Sequence, residues 1–302
     1  MKPGLQCVSW WVRRLPDCDP GGLFLRDVLQ LPMLGQKGNN WDDLGSLFIF
    51  HAGGCFEFEL MPGPAVRPTF ERKEQQPEVP VFRSYAFDAT LATIRAAEGV
   101  RILEVADEPM GRTAYFVDPS GSVNALREPV PTSTDPIDVA AAYQSASGGV
   151  TLQGLKPMPP GVHDLGWVQM HVADVQRELA FYRDVVGLDV LSDSGADGAV
   201  LHLGDVQRLE LRPGGTVEEI VSDRGESPEM WMLRVRDMDR VVRDLKDAGV
   251  HFVNDPWWLT GGHLAYFVDP EGHLVGIQDH PEDGRPQEVE ALRRWENPVL
   301  PR

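Results

Sequence analysis

The chain has 302 residues, twice the usual length of one domain, and its 42% hydrophobic content is that of a folded protein rather than a disordered one. With 46 acidic against 28 basic residues and a net charge of -18, it repels nucleic acid and anionic membrane, and no run of Lys and Arg reverses this. Only three cysteines occur, all within residues 7–55, and no apolar segment nears the ~20 residues of a bilayer span. The expected setting is therefore cytoplasmic, with a small-molecule ligand as partner and a homodimer allowed.

The first segment, from Trp10 through Asp17, Phe24, Arg26, Asp27, Val28 and Leu31, returns without a gap as Trp167, Asp174, Phe181, Arg183, Asp184, Val185 and Leu188, an offset of 167 − 10 = 157. Glu59-Leu60 returns as Glu210-Leu211 and Tyr115-Phe116-Val117-Asp118-Pro119 as Tyr266-Phe267-Val268-Asp269-Pro270, an offset of 210 − 59 = 151. A repeat of this extent divides the chain into a first domain over residues 1–128, a Pro-rich linker over 129–161, a second domain over 162–280 and a tail over 281–302. Within the linker, Ile137 to Tyr143 could form a helical turn or two.

In the second copy, residues 166–172 read as a strand, and Val175, Leu179, Tyr182 and Val186 follow at helical spacing until Gly187. Strand candidates run through Leu191, Val200 to Leu203 and Leu209 to Leu211, giving β-α-β-β-β. The last quarter repeats the order. A strand from Trp231 to Val235 leads to a helix with Met238, Val241, Val242, Leu245 and Ala248 on one face, and the hairpin Leu264 to Gln278 turns at Asp269-Pro270-Glu271-Gly272. Trp257 and Trp258 fall in the loop before it, and Val289, Leu292 and Trp295 recur at helical spacing in the tail.

The stretches "VADVQRELAFYRDVVGLDV" and "AYFVDPEGHLVGI", with "FLRDVLQLPM" and "AYFVDPSGSVNAL" in the first copy, resemble the vicinal oxygen chelate superfamily of glyoxalases, extradiol dioxygenases and antibiotic-binding proteins. The resemblance implies an α+β fold of four βαβββ modules, paired in sequence order into two open, cup-shaped barrels. In metal-using relatives each module gives one ligand from its first strand and one Glu from its last. Those positions hold Trp10, Glu59, Val81 and Ala125 in the first copy and Trp167, Glu210, Met230 and Gly276 in the second. Two carboxylates remain, and indole offers no lone pair, so no metal and no other cofactor is expected.

Strand alternation places Gln169 and His171 on the face of Trp167, Arg14 on that of Trp10, and Met232 and Arg234 on that of Met230. The expected ligand-binding set is Trp167, Gln169, Met230, Met232, Arg234 and Gln278, with Trp10, Arg14 and Glu59 in the other cup, and His171 and Glu210 are the candidate proton-transfer pair. The cup of the second copy is expected to be the working one, enlarged by Gly276, with His273 at the surface. The resulting reading is a metal-independent protein that binds a small aromatic or polycyclic molecule, extended to acid-base rearrangement of lyase or isomerase type. The alternative is a metal-dependent extradiol dioxygenase or lyase built on other histidines.

Overall fold

A computed structural model describes residues 5–37, 47–52, 57–63, 70–129, 162, 164–204, 207–216, 228–259 and 262–279. Most of the linker, including Ile137 to Tyr143, and the tail lie outside them. The first module comprises β1 (Leu5–Leu15), a helix α1 (Asp19–Leu23) that widens into a π-helical turn over Phe24–Val28, β2 (Met33–Lys37), β3 (Leu47–His51) and β4 (Glu57–Pro62). The second comprises β5 (Glu78–Arg83), α2 (Phe87–Ala96), β6 (Arg101–Glu108), β7 (Gly111–Val117) and β8 (Val123–Pro129). In the third, β9 (Asp164–Val172) leads to α3 (Val175–Ala180), again widening over Phe181–Val186, and to β10 (Asp189–Asp193), β11 (Ala199–Gly204) and β12 (Gln207–Pro213). The fourth has β13 (Glu229–Val235), α4 (Met238–Asp247), β14 (His251–Phe252), β15 (Trp257–Leu259), β16 (Gly262–Val268) and β17 (Leu274–Asp279).

The local signals explain these elements. Asp174 caps α3 by accepting from the backbone N–H groups of Gln176 and Arg177 at 3.1 Å each, which satisfies donors that the first turn leaves without partners. Val175, Leu179, Tyr182 and Val186 are buried, as their spacing requires. Gly187 then takes φ 88°, a conformation that side chains resist, and ends the helix.

Two mixed sheets result, but not from consecutive modules. One sheet runs β14-β16-β17-β13-β1-β4-β3-β2 with β15 on β16, joining the fourth module to the first, and the other runs β10-β11-β12-β9-β5-β8-β7-β6, joining the third to the second. The expectation that each copy forms its own cup is corrected. In every module the first strand lies beside the last and leaves one edge open, and β1 closes that edge on β13 while β5 closes it on β9, both antiparallel. Either pairing satisfies the same backbone groups, so a repeat in the sequence does not distinguish them. The register within the copies is conserved: Trp10 lies beside Glu57 and Val12 beside Glu59, as Trp167 lies beside Arg208 and Gln169 beside Glu210.

The main hydrophobic core is continuous across the outer faces of both sheets and their helices, and contains Trp11, Phe58, Phe82, Phe116, Tyr182 and Trp231. Phe58 of one sheet packs on Phe82 of the other with ring centroids 6.0 Å apart. Two smaller clusters stand apart on the inner faces, one around Trp167 and one around Met230 and Met232. Those inner faces are the cups.

Candidate functional site

The module exchange separates the residues expected to share a cup. Trp167, Gln169, His171 and Glu210 lie on the inner face of one sheet together with Val81, Ala125 and Tyr115 of the second module. Met230, Met232, Arg234 and Gln278 lie on the other sheet, in register with Trp10, Arg14 and Glu59 of the first. The cups are named here after their tryptophans.

In the Trp10 cup, strand pairing lays out a ladder His51, Glu57, Trp10, Met232, Gly276, Tyr266 across β3, β4, β1, β13, β17 and β16. Neighbouring rungs hold Ile49, Glu59, Val12 and Met230 on one side, and Arg234, Gln278, Leu264 and Trp257 on the other. The floor is apolar: Met230, Met232 and Tyr266 are buried, and Trp257 stacks obliquely on Tyr266 at 5.2 Å. Trp10, Met61, Trp257 and Arg234 are partly exposed around it. Arg14, Glu57, Glu59 and Gln278 are 7–8% exposed, so charge and apolar surface meet at one concave face. Trp257 thus belongs to this cup; the side chain of Trp258 lies outside the described residues.

Gly276 does not enlarge that cup. A Cβ there would stand 2.5 Å from Met232 Cγ and 3.1 Å from Tyr266 Cε1, so Met232 already fills the space. Restoring the family carboxylate by Gly276→Glu is therefore expected to cost about 1–3 kcal/mol through overpacking. Urea denaturation of the single variant and of Gly276→Glu/Met232→Ala checks this, the second change recovering most of the loss.

The Trp167 cup is occupied by its own polar network. Arg127, fully buried, donates to Glu210 Oε2 at 2.9 Å, to Glu108 Oε2 at 2.7 Å and to Thr113 at 2.8 Å. Arg212 donates to Glu210 Oε1 at 2.9 Å, so both carboxylate oxygens of Glu210 are held by guanidinium. The guanidinium groups of Arg83, Arg127 and Arg208 lie 4.9, 4.9 and 5.7 Å from the Trp167 ring, within cation–π range. Trp167 itself is only 1% exposed. The turn before β5 closes the mouth: Phe70 packs into the cluster around Trp167, Lys73 lies 4.0 Å over the Tyr115 ring, and Gln76 bonds the backbone of Glu78 and Val123.

His171 and Glu210 do not form the expected hydrogen-bonded pair. Tyr115 donates to Gln169 Oε1 at 2.8 Å, the Gln169 amide meets His171 Nε2 at 2.9 Å, and His171 Nδ1 meets the Gln76 carbonyl at 3.0 Å. A carbonyl only accepts, so Nδ1 carries the proton and Nε2 receives the amide N–H. Burial holds the imidazole below its ordinary value, against the backbone bond to Gln76, which raises it. The ring is neutral and tied at both nitrogens.

Neither cup suits a divalent ion. The regrouped family positions are Trp10, Glu59, Met230 and Gly276 in one and Val81, Ala125, Trp167 and Glu210 in the other, still one carboxylate each. Among the described residues no three His, Cys, Asp or Glu side chains are placed to share a metal. Indole has no lone pair to give, a thioether is a poor ligand for hard ions, and Glu210 is already engaged.

Several residues escaped the sequence reading. Glu57, two before Glu59, shares its face by strand alternation, and His51 repeats as His202 at the 151 offset, so both had a signal. Tyr115 repeats as Tyr266. Glu108, Arg127, Lys73 and Arg212 had none, because what joins them is the pairing of the second module with the third. His273, expected at the surface, is 2% exposed: it does point away from the cup, but into the contact between the sheets, 2.9 Å from Glu78.

Comparison with known proteins agrees with this architecture. Residues 164–277 match the family model of the Glyoxalase/Bleomycin resistance protein/Dioxygenase superfamily. Uncharacterized protein YraH of Bacillus subtilis is 28% identical over 122 residues, 36% of this chain and 93% of that protein. Glyoxalase I from Zea mays superposes with a TM-score of 0.63 at 17% identity, covering 96% of each chain. A putative dioxygenase from Bacillus subtilis gives 0.66 at 14% identity, covering 92% of this chain and 86% of that one. At such identities the likeness carries the fold and no activity. No helix among the described residues is long and apolar enough to cross a membrane.

Proposed function

We propose that the Trp10 cup is the working site of this chain, whose residues 164–277 match the Glyoxalase/Bleomycin resistance protein/Dioxygenase family model, and that it binds a small aromatic or polycyclic molecule without a metal ion. One contrast carries this reading: the Trp10 cup offers a partly exposed tryptophan over an apolar floor, while the Trp167 cup is filled by its own side chains. Concave apolar surface with a few charged groups at its walls is the common form of a small-molecule site. Trp10, Trp257 and Tyr266 supply flat surface for a ring system, Met230 and Met232 adapt to its outline, and Arg14, Arg234 and Gln278 orient polar substituents.

Proton transfer, if the bound molecule is rearranged as a lyase or isomerase would do, falls to Glu57 and Glu59. They stand on adjacent rungs beside Trp10 and Val12, where His171 and Glu210 do not reach.

The test is a fluorescence titration with 1-anilinonaphthalene-8-sulfonate, an anionic polycyclic probe. Saturable one-to-one binding, unchanged by EDTA, is expected. Trp10→Ala removes about 1–3 kcal/mol of apolar contact, which weakens binding roughly 5- to 150-fold. Unchanged affinity in that variant, or loss of binding with EDTA, would sink the reading.

A further inference from the structure

The last residue of the edge strand β6, Glu108, points its carboxylate into the mouth of the Trp167 cup, where three cationic donors converge on it beside the Tyr115 hydroxyl. Arg127 lies 2.7 Å from Oε2 and Arg212 3.3 Å from the same oxygen, Lys73 Nζ lies 3.1 Å from Oε1, and the Tyr115 hydroxyl stands 3.1 Å from both. They come from the second and third modules and from the turn before β5, so no local segment makes this arrangement. Burial would raise the Glu108 carboxyl, but Arg127, Arg212 and Lys73 outweigh it and hold the group below the ordinary carboxylate range.

The charges balance only with Glu108 in place. Lys73, Arg127 and Arg212 face Glu104, Glu108 and Glu210, and Glu104 is half in solvent. Without Glu108 the donors would keep an excess positive charge beside a buried aromatic floor, which is what a receptor for a small carboxylate needs. The site is also reachable: the side chains of Glu108, Lys73 and Arg212 are 10%, 16% and 22% exposed, while Arg127 is fully buried behind them. Glu108 is joined to β7 through the short turn at Pro109 and Met110, and among the described residues β6 has no strand on its other side.

We propose that the mouth of the Trp167 cup is a carboxylate receptor that the protein fills with its own Glu108, and that a small organic carboxylate takes the same place when that side chain is withdrawn. The internal carboxylate is tethered, so its effective concentration makes it a strong competitor and the wild-type site stays closed to weak ligands. This site is separate from the Trp10 cup and does not depend on what that cup binds.

Chemical rescue of Glu108→Ala tests the proposal. Thermal unfolding is followed in sodium acetate and in sodium chloride at equal ionic strength. Acetate at about ten times its dissociation constant is expected to raise Tm of the variant by about 3 °C more than chloride does, saturably, with no such difference in the wild type. Benzoate, which adds a ring for the aromatic floor, should act at lower concentration. Equal effects of acetate and chloride on the variant, or equal acetate stabilisation of the wild type, would overturn it. If the variant does not fold unaided, refolding from urea gives the same decision: recovery in acetate but not chloride supports the receptor, and equal recovery in both refutes it.

Discussion

Arg13→Met should destabilise the protein by about 3–5 kcal/mol, the usual loss when one partner of a buried ion pair is removed. Arg13 is fully buried. Its Nε lies 2.8 Å from Glu229, one terminal nitrogen lies 2.9 Å from Asp118, and the other lies 3.1 Å from Asn124. Trp11 donates to the second oxygen of Glu229 at 2.6 Å. Glu229 belongs to the sheet of the Trp10 cup and Asp118 to that of the Trp167 cup, so the guanidinium ties the two together, and its loss leaves two carboxylates buried without their cation. Arg26, whose pair with Asp27 is exposed, supplies the contrast: Arg26→Ala should leave the urea midpoint close to that of wild type, because solvent screens such a pair. Urea denaturation of both variants decides, and a loss below about 1 kcal/mol for Arg13→Met would show that the contact between the sheets does not depend on it.

Stability should fall as pH rises from about 5 to about 10, because of a second buried cluster at the same contact. There His273 lies 2.9 Å from Glu78, Asp269 accepts from the Tyr182 hydroxyl at 2.9 Å, and Glu271 accepts from Arg177 at 2.9 Å. Neither oxygen of Glu178 has a hydrogen-bond partner among the described residues. Burial by itself would push His273 down, but Asp269 and Glu78 outweigh it and hold the imidazolium up to about 10. Burial, followed by Asp269, pushes the Glu178 carboxyl up to about 9. Both groups therefore bind a proton more tightly in the folded chain than in the unfolded one, where they titrate near 6.5 and 4.5. The contribution of His273 is complete below about pH 6.5 and lost as pH passes through about 10; that of Glu178 begins to decline above about 4.5. Denaturant midpoints from pH 5 to 10.5 measure the slope, and His273→Gln should flatten its part above pH 6.5 while lowering stability at pH 6. A wild-type profile without slope between pH 6.5 and 10 would refute the assignment.

The two clusters show how far a repeat can be read. Glu78 and Asp118 return as Glu229 and Asp269 at the 151 offset, so the same acidic pair lies at both contacts between the sheets. The cation does not repeat. It is Arg13 from a strand in one cluster and His273 from a turn in the other, and neither choice can be inferred from the offset.

What the sequence determined by itself is local or periodic: the order of strands and helices, the helix stop at Gly187, the hairpin turns, the alternation that puts Trp10 with Arg14 and Trp167 with His171, and the replacement of all but one carboxylate among the family metal positions of each copy. Each depends on residues a few places apart, or on a repeat long enough to exceed chance. Only the tertiary structure decided that the first module joins the fourth and the second joins the third, because either pairing satisfies the open edges of the first strands equally. That choice separates Trp167 from Met230, surrounds Trp167 with Arg83, Arg127 and Arg208, and leaves the apolar floor to the Trp10 cup. Which cup is filled and which stays open thus rests on side chains brought together from different modules, where neither spacing nor composition carries a signal.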